Sequence, residues 1–214
     1  MKTIEWQNVM QLQMNCKGGE MMRFVGIDPS TKTGFVALDE SGNVVRAKEL
    51  TGIGDVDPKR MITLIDEVIA HVRPGDVICI EGFPYDTQRA MFAGGLHHGI
   101  RNELFKRKLK YYEVAPNAVK KFVNVSGWTG EKGSKKRLTG PQKKVAVMKA
   151  VNEHYGFLHK SDNVVDAYIL AKIALDLTFT LNGEFGLLTS YQNEVIQTII
   201  NPEPKKPKKE KVKQ

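Results

Sequence analysis

The chain has 214 residues, a formal net charge of +8, 41% hydrophobic residues and two cysteines, Cys16 and Cys79. That length suits one medium domain with appendages, and the apolar content supports a core, which excludes a wholly disordered chain. Two cysteines exclude a disulfide framework and a four-thiolate zinc site, and no run of about 18 apolar residues exists to span a membrane, so the chain reads as cytoplasmic.

Residues 1–20 lack the apolar run of a secretory signal and read as an N-terminal extension. The segment KGGEM at 17–21 is what an in-frame ribosome-binding sequence followed by a start codon yields on translation. It predicts a true start at Met21 or Met22. One folded domain is expected over 21–200. The end, 201–214, has three prolines, six lysines and no aromatic residue. It cannot bury enough apolar surface to order itself and reads as a disordered basic tail.

Between these ends the pattern alternates strand and helix. RFVGID at 23–28 is short and apolar, a buried strand. GFVALD at 34–39 and 43–48 are two more strands, joined by a hairpin turn at Ser41-Gly42. Asp57-Pro58 reads as N-cap and first residue of a helix whose apolar face holds Met61, Leu64, Ile65, Val68, Ile69 and Val72. VICIE at 77–81 is a central parallel strand. A helix over 88–108 precedes a last strand at 111–114, and helices follow near 116–123, 141–156, 162–180 and 190–200. Hairpin-linked strands followed by strand–helix alternation imply an α/β fold, a mixed five-stranded sheet flanked by helices on both faces.

The positive charge is gathered into blocks. Residues 117–149 hold nine Lys or Arg against one Glu, and the tail is also basic. Such blocks point to a polyanion, with nucleic acid the commonest. Phe122 and Trp128 lie among the lysines as candidates to stack on bases.

Four carboxylates carry the chemistry. Asp28 and Glu81 end two strands, and sites in open α/β sheets form at such carboxyl ends. Asp162 and Asp166 lie four apart at a helix start and share a face. Asp166 falls in an otherwise apolar stretch, where a charge needs a partner. Each acid taken singly has a structural explanation: a turn at Asp28-Pro29, a solvated strand end at Glu81, an N-cap at Asp162, a first-turn surface acid at Asp166. Together they would repel one another unless divalent cations neutralise them. Oxygen-only donors favour Mg²⁺, with Mn²⁺ as a substitute, over Zn²⁺.

GIDPSTKTGFV at 26–36, the apolar strand ending in Glu81, and DNVVDAYILA at 162–171 resemble the acidic motifs of RuvC-type Holliday-junction resolvases, within the RNase H-like nucleases. AMFAGGLHHGIRNEL at 90–104 is similar to that family's glycine-containing interface helix. VAPNAVKK at 114–121 and GPQKKVA at 140–146 resemble its strand, short helix and substrate-binding lysines. The resemblance spans about 22–180. It implies an RNase H-like fold and a homodimer acting on branched DNA. It also implies divalent-metal hydrolysis leaving 5′-phosphate and 3′-hydroxyl ends.

The departures are local. The family commonly has an acid or His three residues before its last Asp. Here that position is Asn163, with Asp162 one earlier, so either Asp162 or Asn163 completes the set. Residues 127–140 form an apparent insertion, rich in Gly and Lys, expected to be a mobile DNA-contacting loop.

The expected mechanism uses two Mg²⁺ ions per site. Asp28 bridges them, Glu81 holds one, and Asp166 with Asp162 holds the other. Lys120, Lys121, Lys143 and Lys144 are the expected phosphate ligands. The helix from Ala90 is the expected dimer interface, through Met91, Phe92, Leu96, Ile100 and Leu104, with Gly94, Gly95 and Gly99 admitting a partner helix. Two other readings are a non-catalytic DNA-binding protein and a sugar-kinase or actin-like nucleotide-phosphate binder, although such binders need two lobes. His97 and His98 are adjacent on a helix and point apart. His71, His154 and His159 read as surface residues, Cys79 as core, and Met91 and Met148 as parts of apolar helix faces.

Overall fold

The computed structural model describes residues 21–83, 90–131, 134–184 and 187–202. The expectations for the extension 1–20 and for all but the first two residues of the tail lie outside the described residues. Five strands form one sheet: β1 Phe24–Asp28, β2 Thr33–Leu38, β3 Val44–Leu50, β4 Val77–Glu81 and β5 Tyr111–Val114. Their order is β3-β2-β1-β4-β5. β1 is antiparallel to β2 and parallel to β4, and β4 is parallel to β5. β4 and β5 have the expected bounds, and the other strands start or end within two residues of them.

Every residue of β1 and β2 is buried, because both faces of the sheet are covered. Alternation sorts the side chains between two cores. Val25, Ile27, Phe35, Ala37, Ile78 and Ile80 face α1 (Lys59–His71) and α2 (Ala90–Lys106). Phe24, Val36, Leu38 and Cys79 face the other helices: α3 (Pro116–Phe122), α4 (Gly140–Tyr155), α5 (Asp162–Leu181) and α6 (Ser190–Ile200). The start of the sheet is pinned by Arg23. Its guanidinium donates to both Asp76 carboxylate oxygens at 2.9 and 2.7 Å and to the His71 carbonyl at 3.1 Å. This buried bidentate pair ties the residue before β1 to the residue before β4.

Two glycines let α5 lie directly on the sheet. A Cβ on Gly26 would stand 1.9 Å from the Ala167 carbonyl oxygen, and one on Gly34 would stand 2.0 Å from that of Asn163. No other residue type fits at this β1–α5 crossing. Behind it α5 is almost wholly buried, from Val164 through Thr178 apart from a few polar positions.

Several expectations are corrected. Pro58, not Asp57, takes the N-cap position of α1, and no side chain caps that helix. The Asp57-Pro58 peptide is cis, and the Arg60 N–H is taken by the Val56 carbonyl at 3.1 Å. On α2, Leu96, Ile100 and Leu104 are fully buried in the chain's own core. Gly95 and Gly99 abut Met61 and Ile65 of α1, so the α2 glycines serve packing within the chain. Met91 is 93% exposed rather than on a packed face, whereas Met148 does pack against the core. Phe122 is fully buried, because α3 turns Val119 and Phe122 inward, and it cannot stack on bases. Residues 127–140 include a short antiparallel hairpin, β6 Trp128–Thr129 with β7 Lys136–Arg137, instead of forming a loop without regular pairing.

Candidate active site

Asp28 and Glu81 converge because of sheet register. Gly26 pairs with Cys79 and Ile27 with Ile80, so the last residues of β1 and β4 stand side by side. Gly26 and Asp28 share a face of β1, and Cys79 and Glu81 share the same face of β4. That face is the one α5 covers, and α5 brings Asp166, with Asp162 one turn earlier.

The electrostatics bear out the convergence. The Asp28 and Glu81 carboxyls hydrogen-bond to each other. The Asp28 carboxyl is held well above the usual carboxylate range, by burial first and then by the charges of Glu81 and Asp166. Glu81 is also raised by burial, against the opposing hydrogen bond from Asp28 and the nearby charge of Lys120. Burial, followed by the charge of Glu81, pushes Asp166 up to about 7, while Lys120 and Lys144 pull it down. Clustered buried acids of this kind hold protons unless positive charge is supplied.

Lysines supply part of that charge. Lys144 of α4 ion-pairs with Asp162, and its ammonium is stabilised chiefly by that bond. Lys120 of α3 lies within reach of the fields of Glu81 and Asp166, with its Nζ 3.4 Å from the Pro116 carbonyl. Lys121 instead pairs with Glu194 of α6. Lys143 packs beside Gly127 at the foot of the β6–β7 hairpin. Asn163 is seated by its backbone carbonyl under Gly34.

Among the described residues, no three His, Cys, Asp or Glu side chains are already arranged to hold a metal ion. The donor chemistry nevertheless fits a hard divalent cation. All four acids offer oxygen, three have pKa values raised by burial and, for Asp28 and Asp166, also by neighbouring acids, and an ammonium already neutralises the fourth. A cation reaching these carboxylates would supply the positive charge that their burial and mutual repulsion call for.

Sequence reasoning missed two histidines. His159 is half-buried, and its Nδ1 accepts the Ser161 N–H at 3.1 Å, at the entry to α5, where the Ser161 side chain makes no cap. It stacks on Phe157, which stacks on Tyr168 of α5 at 4.1 Å. His71 is likewise half-buried, with its ring edge on Phe35 at 5.4 Å. His97 and His98 do point apart: His97 is fully buried against Phe83 at 5.6 Å, and burial pushes it down to about 4. These roles rest on contacts between side chains, and residue spacing carries no sign of them.

Three parallel strands, β1, β4 and β5, an antiparallel hairpin extension on one edge, and a carboxylate-bearing helix across one face define an RNase H-like α/β fold. Among solved structures, the fold is similar to RuvC of T. thermophilus in complex with Holliday junction substrate. The identity is 14%, the TM-score is 0.51, and the match covers 76% of this chain and 97% of that one. A Thermus thermophilus RuvC structure is also similar, at 15% identity and a TM-score of 0.46, over 77% of this chain and 97% of that one. On the first of these matches the chain has a RuvC-like fold. No protein-family model and no curated protein matches it in sequence.

Proposed function

We propose that the protein is a structure-selective endonuclease that cuts four-way or other branched DNA. The observation that carries this reading is the gathering of Asp28, Glu81, Asp166 and Asp162 at the carboxyl ends of β1 and β4, in a RuvC-like fold. Asp28, Glu81 and Asp166 would hold divalent cations, Mg²⁺ or Mn²⁺, two per site, with Asp162 or Asn163 completing the set. Bound cations would supply Lewis acidity and neutralise charge building on the phosphate.

The chain's own residues do the remainder. Their carboxylates orient the attacking water and take up its proton. Water oxygen bonds to phosphorus as the bond to the 3′ oxygen breaks, and the departing 3′ oxygen takes a proton from solvent, leaving 5′-phosphate and 3′-hydroxyl ends. Lys120 and Lys144 flank the acids and bind backbone phosphates. Lys143, beside the hairpin, extends the phosphate track, and Lys121 joins it when released from Glu194. These contacts supply affinity without reading sequence. Paired nicks in opposed strands require two sites, which a homodimer provides. Its interface falls on exposed apolar residues such as Met91 and Phe105 of α2 rather than on the buried Leu96. A reducing cytoplasm suits the buried free Cys79.

The test is incubation with labelled four-way junction, linear duplex and single strand, with and without Mg²⁺. Junction-selective, Mg²⁺-dependent cleavage is expected, lost in Asp28→Asn, Glu81→Gln and Asp166→Asn while junction binding survives. Wild-type cleavage by Asp166→Asn, or no cleavage of any branched DNA by the wild type, would overturn the reading.

A further inference from the structure

The β6–β7 hairpin has no part in the core, yet it carries a tryptophan. Trp128 pairs with Arg137 and Thr129 with Lys136 across the two strands. All four residues are exposed, Trp128 by 55%. Tryptophan is ordinarily buried for most of its large surface, so an indole left in water at this position is not there to stabilise the fold. Among the described residues the ring makes no aromatic contact and its Nε1 makes no hydrogen bond.

The backbone beneath it is well tied. The Trp128 N–H donates to Ser126 Oγ at 3.0 Å, and Ser126 Oγ–H donates to the Trp128 carbonyl at 3.2 Å. The Leu138 N–H donates to the Gly127 carbonyl at 2.9 Å, closing the foot of the hairpin. Gly127 rests against the Lys143 stem, and the next residue along α4, Lys144, reaches Asp162. The hairpin is thus held beside the helix that meets the acids. Its charge is one-sided, with Lys135, Lys136 and Arg137 all exposed and a single acid, Glu131, in the connection.

We infer that this hairpin is a base-stacking element: the Trp128 indole receives an unpaired nucleobase at a branch point, while Lys136 and Arg137 hold the flanking phosphates. Aromatic faces accept any base, because every base has a π face, and cationic neighbours track the backbone on either side. Inside a continuous duplex the base faces are covered by their neighbours. At a branch point or single-stranded flank they are available. The hairpin therefore discriminates DNA by structure rather than by sequence. An apolar protein partner is a poorer match for an indole ringed by like charges. The inference rests on the proposed branched-DNA substrate, but not on cleavage.

The experiment uses the full chain with Trp6→Phe, which leaves Trp128 as the sole tryptophan. Indole emission is followed during titration, without divalent cation, with four-way junction, single strand and continuous duplex. Quenching by junction and single strand, and little by duplex, is expected. On an otherwise wild-type chain, Trp128→Ala should weaken junction and single-strand binding about tenfold, in line with loss of one stacked base, and leave duplex affinity unchanged. Trp128→Phe should retain most of the affinity. The melting temperature should not move in either variant, since the side chain is outside the core. Unchanged emission at saturating junction, or equal losses on junction and duplex, would overturn the inference whether or not the protein cleaves DNA. Normal quenching in a protein that cleaves nothing would instead support the hairpin's role and reject the nuclease reading alone.

Discussion

Gly26→Ala should damage the fold and the site together. The added Cβ would lie 1.9 Å from the Ala167 carbonyl oxygen, 2.5 Å from the Ala171 nitrogen and 2.8 Å from the Leu170 Cβ. Restoring a carbon contact of about 3.5 Å requires β1 and α5 to separate by about 1.6 Å. Backbone lies on both sides, so no side chain can rotate away. Overpacking in cores costs about 1–3 kcal/mol, and this position belongs at or above the upper end. With a urea slope of about 2 kcal/mol/M, the midpoint should fall by about 1.5 M. The same separation moves Asp166, next to Ala167, away from Asp28, two residues from the substitution. A displacement of about 1 Å can reduce catalysis about 100-fold. Urea unfolding and junction-cleavage rates on the same preparation measure both effects. Gly140→Ala is the control: a Cβ there meets nothing within 4 Å, so stability should stay within about 0.5 kcal/mol. A Gly26→Ala protein with the wild-type midpoint and wild-type cleavage would refute this account of how α5 is seated.

Three further outcomes are expected. Asp166 is raised to about 7 from an ordinary 3.8, so between those values the folded protein keeps a proton that the unfolded chain has lost. Stability without divalent cation should therefore fall as pH rises through that window, and Mg²⁺ should raise the melting temperature more at pH 8 than at pH 5; a flat calorimetric profile would contradict the clustered-acid picture. Replacing Lys120, Lys121, Lys143 and Lys144 by Ala should flatten the salt dependence of duplex binding by about 0.9 in log–log slope per lost phosphate contact, and an unchanged slope would show that these lysines do not meet DNA. Leu96→Glu should unfold the chain rather than split a dimer, since it places a charge in the sheet's own core, whereas Met91→Glu with Phe105→Glu should leave the melting curve intact and, in sedimentation, convert dimer to monomer.

The acids were legible in the sequence because their positions follow from simple periodicities. Asp28 and Glu81 terminate apolar runs, and strand alternation with parallel register then places them together. Asp166 stood out as a charge inside an apolar helix. The partner of a glycine-bearing helix was not legible. Gly95 and Gly99 admit a close neighbour, but nothing local distinguishes α1 of the same chain from α2 of another. Phe122 was not legible as core, because lysines adjoin it in sequence and the Val119–Phe122–Val123 face that buries it lies on a helix of only two turns. The hairpin was hidden by its brevity, since two residues per strand leave no alternation to detect. The Lys144–Asp162 pair joins two consecutive helices and depends on how α4 packs on α5, which no spacing reveals.

The seating of α5 has a consequence for motion. This helix touches β1, β2, β3 and β4 as well as α3, α4 and α6, and its backbone lies in glycine-lined contact with two strands. Its central amides can meet solvent only when the sheet itself comes apart, so their hydrogen exchange should report the global unfolding free energy rather than a local opening. Asp166 is carried by that unit, and Asp162 stands on its first residue, where a half-buried side chain pairs with Lys144. One end of the acidic cluster is thus fixed as firmly as the fold, and adjustment to an incoming phosphate falls to the other end, where Asp162 can exchange its lysine.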